Sequence, residues 1–179
     1  MSSSPTTADA PDGPSKRATI LFSGTAQGAA REAQQLLAER HDVAVELWSA
    51  TSYKRLREEA LEAERWNRLH PTETPRTPYV TEALQVAEGP FIAVTDFMKA
   101  VPDQVARWVP GAFTPLGTDG FGRSDTRANL RRHFETDAAN VVVAVLQALA
   151  QADEVKPEAV ADAIAAYALD PDAPDPRVA

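Results

Sequence analysis

The 179-residue chain has no cysteine, three histidines and eight glycines. Without a thiol there is no disulfide framework, no thiolate nucleophile and no Cys-built zinc site, and three scattered histidines do not make a His-rich metal centre. Cations are also in deficit. Lys plus Arg number 18 against 26 Asp plus Glu, giving a formal charge of -8 and a pI near 4.9. That sign argues against a general phosphate-backbone binder, so nucleic acid is not an expected partner. No apolar run approaches the roughly 18 residues of a membrane span. The opening Met1-Ser-Ser-Ser-Pro-Thr-Thr-Ala-Asp-Ala-Pro-Asp12 has neither the basic start nor the apolar stretch of a signal peptide, which points to the cytoplasm and away from membranes.

What is present is the balance of a globular domain, with 44% apolar and 25% charged residues, at a length that suits one domain of about 100–200 residues. Of 14 prolines, three fall in residues 1–17 and three in residues 168–179. The division expected is therefore a disordered tail over 1–17, a domain over 18–168 and an extended tail over 169–179. Within the domain, β-rich runs at 18–23, 43–48, 91–95 and 112–116 alternate with helical periods. Alternation of that kind predicts an α/β domain with a mostly parallel sheet.

The helical stretches are expected at 25–40, with Ala26, Ala29, Ala30, Ala33, Leu36 and Leu37 inward, and at 52–66, with Tyr53, Leu56, Ala60 and Ala63 inward. Thr77-Pro78 reads as a cap and first-turn proline for a helix burying Val80, Ala83, Leu84 and Ala87, and Pro102 as the same device before Val105 and Trp108. Asp125 is expected to cap a helix bearing Leu130 and Phe134, and Asp137 the apolar stretch 141–149. A last helix, 157–168, should bury Val160, Ala161, Ile164 and Tyr167.

Ligands of open α/β sheets bind beyond the carboxyl ends of the strands, which singles out Ser23-Gly-Thr25, Ser49-Ala-Thr51, Thr95-Asp96 and Thr118-Asp-Gly-Phe-Gly-Arg-Ser-Asp125. In the last segment Gly120 and Gly122 permit unusual backbone angles, and Arg123 offers a bidentate anion clamp. A dinucleotide fingerprint would need glycine near 125, where a carboxylate stands. The turn is thus either an anion site or a structural turn and subunit contact. Arg123, Arg127 and Arg131 recur every fourth residue, either as a solvated face or as a docking stripe for an acidic partner. His70, in a Pro-punctuated loop, reads as a hydrogen-bonded structural residue, and His41 as a turn residue. No Ser/His/Asp order, Walker loop or paired-carboxylate geometry is defensible.

Three segments carry a resemblance: Glu64-Arg-Trp-Asn-Arg-Leu-His-Pro-Thr-Glu-Thr-Pro-Arg-Thr-Pro-Tyr79, Thr95-Asp-Phe-Met-Lys99, and Leu116-Gly-Thr-Asp-Gly-Phe-Gly-Arg-Ser-Asp-Thr-Arg-Ala-Asn-Leu-Arg-Arg-His-Phe-Glu135. They resemble the C-terminal domain of homodimeric-type pyruvate dehydrogenase, from about Ala18 to the closing Asp175-Pro-Arg-Val-Ala179. The resemblance implies a transketolase C-terminal-like fold, a three-layer α/β/α domain around a mostly parallel sheet of about five strands. It also implies an enzyme that decarboxylates pyruvate on thiamine diphosphate and reductively acetylates lipoyl groups of the dihydrolipoyl acetyltransferase complex. In that family the cofactor and its magnesium are held by two larger preceding domains, so no cofactor is expected on this chain. Thr118-Asp-Gly120 with Asn140 echoes the family's magnesium motif but lacks its leading glycine. The chain is accordingly expected to be a C-terminal domain or split subunit that supports assembly, or a fragment, and not to turn over pyruvate alone. The alternative is a free-standing binding module using the Gly-rich turn and Arg stripe. On the resemblance, Glu64, Arg65, Trp66, His70, Arg76, Asp119, Gly120, Phe121, Gly122, Arg123, Ser124 and Asp125 are expected interdomain or dimer contacts, with Arg127 and Arg131 beside them. A domain made for a larger dimer should also self-associate and show an apolar patch involving Trp66 or Trp108.

Overall fold

A strand buried on both faces needs helices above and below it, and the centre of this molecule is such a strand. The computed structural model describes residues 2–3 and 16–178. The four expected runs form β2 (Lys16–Phe22), β3 (Val43–Ser49), β4 (Phe91–Val94) and β5 (Phe113–Leu116), all parallel, in the order β3-β2-β4-β5. Among the described residues the parallel strands thus number four and not five. Only β1 (Ser2–Ser3), two residues pairing antiparallel with Trp48 and Ser49, extends it. The tail expected over 1–17 lies for the most part outside the described residues.

Alternation along the strands sorts the core into two layers. Ile20, Val45, Leu47, Ile92 and Val94 face α1 (Gln27–His41), α6 (Ala138–Gln151) and α7 (Pro157–Ala166). Leu21, Trp48, Phe91 and Ala93 face α2 (Tyr53–Leu69) and α3 (Tyr79–Leu84), together with Val105 and Trp108. The arrangement is a three-layer α/β/α domain. On α1, Ala30 and Ala33 are fully buried, and side chains that small let the helix lie close to its neighbours. Gln34, the buried polar residue of that face, donates through Nε2 to the Val45 carbonyl at 2.7 Å. The Asp137 cap forms as expected, its carboxylate accepting from the Asn140 amide at 3.0 Å.

Three local expectations shift. Pro78 itself occupies the cap position of α3 and gives no side-chain bond. The work expected of Thr77 is done from α2, where Glu59 Oε2 accepts from the Tyr79 amide at 2.8 Å. Pro102 does lie in the first turn of α4 (Ala100–Asp103), but the residue before that helix is Lys99, which caps nothing. On α7 the buried residues are Val160 and Ala163, while Ala161 is exposed and Ile164 and Tyr167 are half-buried. The helix starts at Pro157, and one turn on from Val160 its inward position falls at 163.

At the amino edge of the sheet, His41 Nε2 lies 3.1 Å from the Tyr167 hydroxyl, joining the end of α1 to the end of α7. Arg132 Nη1 reaches the Tyr167 carbonyl at 3.2 Å and its Nε pairs with Asp137 at 2.6 Å.

Leu149→Ala, at a fully buried position of α6, should cost about 2–5 kcal/mol through lost burial and the cavity left behind, read as a lower urea midpoint. Burial first, then the neighbouring Arg40 charge, hold His41 below its ordinary 6.5. The unfolded chain therefore takes up the proton before the folded one does. Stability is full at neutral pH and declines as pH falls below about 6.5. His41→Gln should flatten that segment of the stability–pH curve.

Candidate functional site

Because the four long strands are parallel, their carboxyl ends gather four loops at one edge: 23–25, 49–52, 95–99 and 117–119. β3 lies on one side of β2 and β4 on the other, which makes the gap between β2 and β4 the topological switch point. There Ser23 Oγ donates to Thr95 Oγ1 at 2.7 Å, and the Thr118 hydroxyl donates to the Asp96 carbonyl at 2.7 Å. Gly24 has φ +58°, and a Cβ there would fall on the Asp96 carboxylate. Only glycine lets the two loops meet so closely. A cleft of about 230 Å³ at this point is lined by Thr25, Asp96, Thr118, Arg127 and Arg131 among others. A second, of about 750 Å³, opens between the ends of β2 and β3.

The Gly-rich turn is stitched to the loop after β4. Asp119 Oδ1 accepts from the Lys99 amide at 2.8 Å, and the Thr118 amide donates to the Phe97 carbonyl at 2.9 Å. Gly120 has φ +104°, and the Pro176 carbonyl occupies the place its Cβ would take. The segment expected as an extended tail is thus folded back onto this turn, with Pro176 buried. Arg177 bonds Asp175 through Nε at 2.9 Å and Nη2 at 2.6 Å, and holds that carboxyl down at about 2. Gly122, by contrast, has no positive φ and open space around it. Arg123 and Ser124 are exposed.

Asp125 does not cap the next helix. Its Oδ1 accepts from the Thr126 amide at 2.6 Å and from Asn129 Nδ2 at 2.9 Å, which lowers its carboxyl below the usual range. The cap of α5 (Arg127–His133) is Thr126, whose Oγ1 accepts from the Asn129 amide at 3.3 Å. Arg123 consequently lies before the helix, and the three-arginine stripe does not form. Arg127 and Arg131 line the switch-point cleft, with Arg131 donating to the Thr25 carbonyl at 3.0 Å, whereas Arg123 lines a different cleft beside Arg132 and Leu169.

The 64–76 segment is a clasp. Glu64 accepts from Trp108 Nε1 at 2.8 Å and from Arg107 at 2.6 Å. Trp66 stacks on His70, with ring centres 4.5 Å apart and 11° between planes, and the Arg76 guanidinium lies 4.2 Å from the Trp66 ring centre. His70 Nδ1 is 2.9 Å from the Trp66 carbonyl, so that nitrogen carries the proton. Asn67 brackets Arg76, donating to its carbonyl at 2.9 Å and accepting from its amide at 2.7 Å. Arg65 is exposed. None of these groups pairs a base with a nucleophile.

The apolar patch expected around Trp66 or Trp108 lies elsewhere. Trp108 is 8% exposed, because Glu64 satisfies its indole N–H, and Trp66 is half-buried between its two partners. The most exposed aromatic side chains among the described residues are at the carboxyl edge, Phe97 at 53% and Phe121 at 80% with Met98 at 56%, while Leu69 and Tyr79 of the 64–79 segment are also exposed. An apolar pair inside the polar Thr95-Asp-Phe-Met-Lys99 loop was the signal for the former.

The group implied by the resemblance, a diphosphate cofactor with magnesium, does not fit the residues present. Asp119 is engaged with the Lys99 amide, and Asn140 with Asp137 on α6. Among the described residues no three His, Asp or Glu side chains gather to hold a metal. Nor is any described helix long and apolar enough to cross a membrane.

Residues 7–137 match the transketolase-like TK C-terminal domain family. The chain is similar to the pyruvate dehydrogenase E1 component of Mycolicibacterium smegmatis, 50% identical over 161 residues covering 90% of this chain and 17% of that protein. It is similar to the E1 components of Pseudomonas aeruginosa, at 46% over 158 residues (88% and 18%), and Escherichia coli, at 44% over 169 residues (94% and 19%). The chain spans under a fifth of the length of these curated relatives.

Asn67→Ala removes both bonds of the bracket and should cost about 1 kcal/mol. Tryptic cleavage after Arg68 and Arg76 should accelerate, and an unchanged rate would mean that the stack holds the loop without Asn67.

Proposed function

The chain belongs to the transketolase-like C-terminal domain family, and on that premise we propose that it is the C-terminal domain of a pyruvate dehydrogenase E1-type enzyme, docking on the remaining domains without carrying out chemistry itself. The observation that carries the reading is the 44–50% identity over about nine-tenths of this chain to proteins of which the match covers under a fifth. Two features support it. Several polar residues of the matched motifs are engaged with other side chains or with the backbone, as in the Glu64–Trp108 and Asp119–Lys99 bonds. Phe97, Met98 and Phe121 stand bare at the carboxyl edge, where an apolar cluster marks a contact surface.

In this reading the assembled enzyme is a cytoplasmic dimer that delivers acetyl groups to the lipoyl arms of a dihydrolipoyl acetyltransferase complex. Thiamine diphosphate, with magnesium, supplies the carbanion chemistry of pyruvate decarboxylation from the other domains. This domain supplies bulk, rigidity and an interface.

The test is reconstitution. Offered an E1-type polypeptide lacking its own C-terminal domain, the chain should co-elute with it and restore pyruvate-dependent dye reduction, while the chain alone shows none. Phe97→Ser with Phe121→Ser should weaken association about tenfold or more, since buried aromatic anchors dominate such interfaces. Turnover by the chain alone, or failure to associate, would contradict the reading.

A further inference from the structure

The switch-point cleft of about 230 Å³ holds charges of both signs that do not meet. Arg127, Leu130, Arg131 and Phe134 line it at the spacing by which a helix presents one stripe, so a single face of α5 and its C-cap forms one wall. Asp96, from the loop after β4, lines the same cleft. Neither arginine is in an ion pair among the described residues, and Asp96 is in none either. Arg131 gives one N–H to the Thr25 carbonyl at 3.0 Å, and the Asp96 carboxylate takes only the Thr25 amide at 3.5 Å. Like charges one turn apart on a helix repel each other. A carboxylate that shares their cleft without pairing leaves both signs open to a third group.

A buried hydroxyl is left over at the same place. Thr136 is 6% exposed and lines this cleft. Its amide donates to the Arg131 carbonyl at 2.9 Å, which fixes the residue where α5 ends. Its hydroxyl bonds to no group among the described residues. Unlike the Tyr53 hydroxyl, which is sealed in the core, the Thr136 oxygen keeps accessible surface. A polar group that deep takes a partner, and here the partner enters through the cleft.

We infer that this cleft binds a small α-amino acid as its zwitterion. The carboxylate sits on Arg127, Arg131 and the Thr136 hydroxyl, the ammonium on Asp96, and a short aliphatic side chain against Leu130 and Phe134. Guanidinium groups are strong donors to carboxylate. A bare anion meets repulsion from Asp96 and a bare cation from the two arginines, so the cleft selects a molecule that carries both charges. Its volume is below the roughly 300–1,000 Å³ of sites for drug-sized ligands, which suits a side chain of about the size of valine. None of Phe97, Met98 and Phe121 lines it, so binding is read on the chain alone and stands or falls separately from docking.

The experiment is a titration of the ¹⁵N-labelled chain, followed by amide NMR shifts, with L-valine, with isovalerate (valine without its ammonium) and with isobutylamine (valine without its carboxylate). Valine should shift the amides of Thr25, Leu130 and Thr136 and saturate with a Kd at or below about 10 mM. Isovalerate and isobutylamine should each bind about tenfold or more weakly. Arg127→Gln, at an exposed position, should weaken valine about tenfold, and Thr136→Val should weaken it several-fold. Asp96→Asn should weaken valine while tightening isovalerate, a reversal that a merely structural role for Asp96 does not produce. Absence of saturable shifts with valine overturns the proposal, and so does isovalerate binding as tightly as valine. Unchanged valine affinity in both Arg127→Gln and Thr136→Val, at unchanged unfolding midpoints, overturns it as well.

Discussion

Everything in this molecule follows from burying β2 on both faces. Ile20 and Leu21 are adjacent, point to opposite sides and are both at 0% exposure. Burying each gives about 1.5–3 kcal/mol, which neither side chain obtains without a helical layer over it. The two layers α1/α6/α7 and α2/α3 are therefore required together. Helical crossovers between parallel strands put β3 and β4 on either side of β2 in the same direction. One edge then collects every loop that follows a strand, and the clefts, the Gly-rich turn and the bare aromatics all lie there.

The residues that make the sequence recognisable hold loops in place. Glu64 reaches across to Trp108, Asn67 closes a nine-residue bracket to Arg76, and Asp119 fastens the loop after β5 to that after β4. Each bond is individually modest, but each removes freedom from a long connection. Gly120 serves the same end by leaving room for the Pro176 carbonyl, so that residues 175–178 settle on the turn. Phe97, Met98 and Phe121 remain exposed at the edge among polar side chains such as Asp96 and Arg123, and rigid loops presenting apolar side chains make a surface that can dock with little ordering cost.

Periodicity made the four parallel strands and the first two long helices legible, since Tyr53, Leu56, Ala60 and Ala63 could share a face in only one conformation. Single-residue roles were harder. Asp137 acts as the cap its position suggests, but Thr126 displaces Asp125, because both are good caps one residue apart. Glu59 capping Tyr79 from another helix has no local signal. Ala161 and Ala163 are equally small, so pattern alone could not tell which faces inward. The indole of Trp108 is buried because a carboxylate 44 residues away in sequence satisfies it. Ser23 was visible through the strand-end rule, and its Oγ does meet Thr95 Oγ1 where the strand order reverses.

In the proposed reading the carboxyl edge is the face by which this domain joins a larger enzyme. Amide hydrogen exchange, followed on the chain alone and on the chain assembled with the remaining E1-type domains, addresses it most directly. New protection is expected at residues 96–98 and 117–125. Protection confined to the opposite edge, around 39–42 and 154–158, with the carboxyl-edge loops exchanging as before, would contradict it.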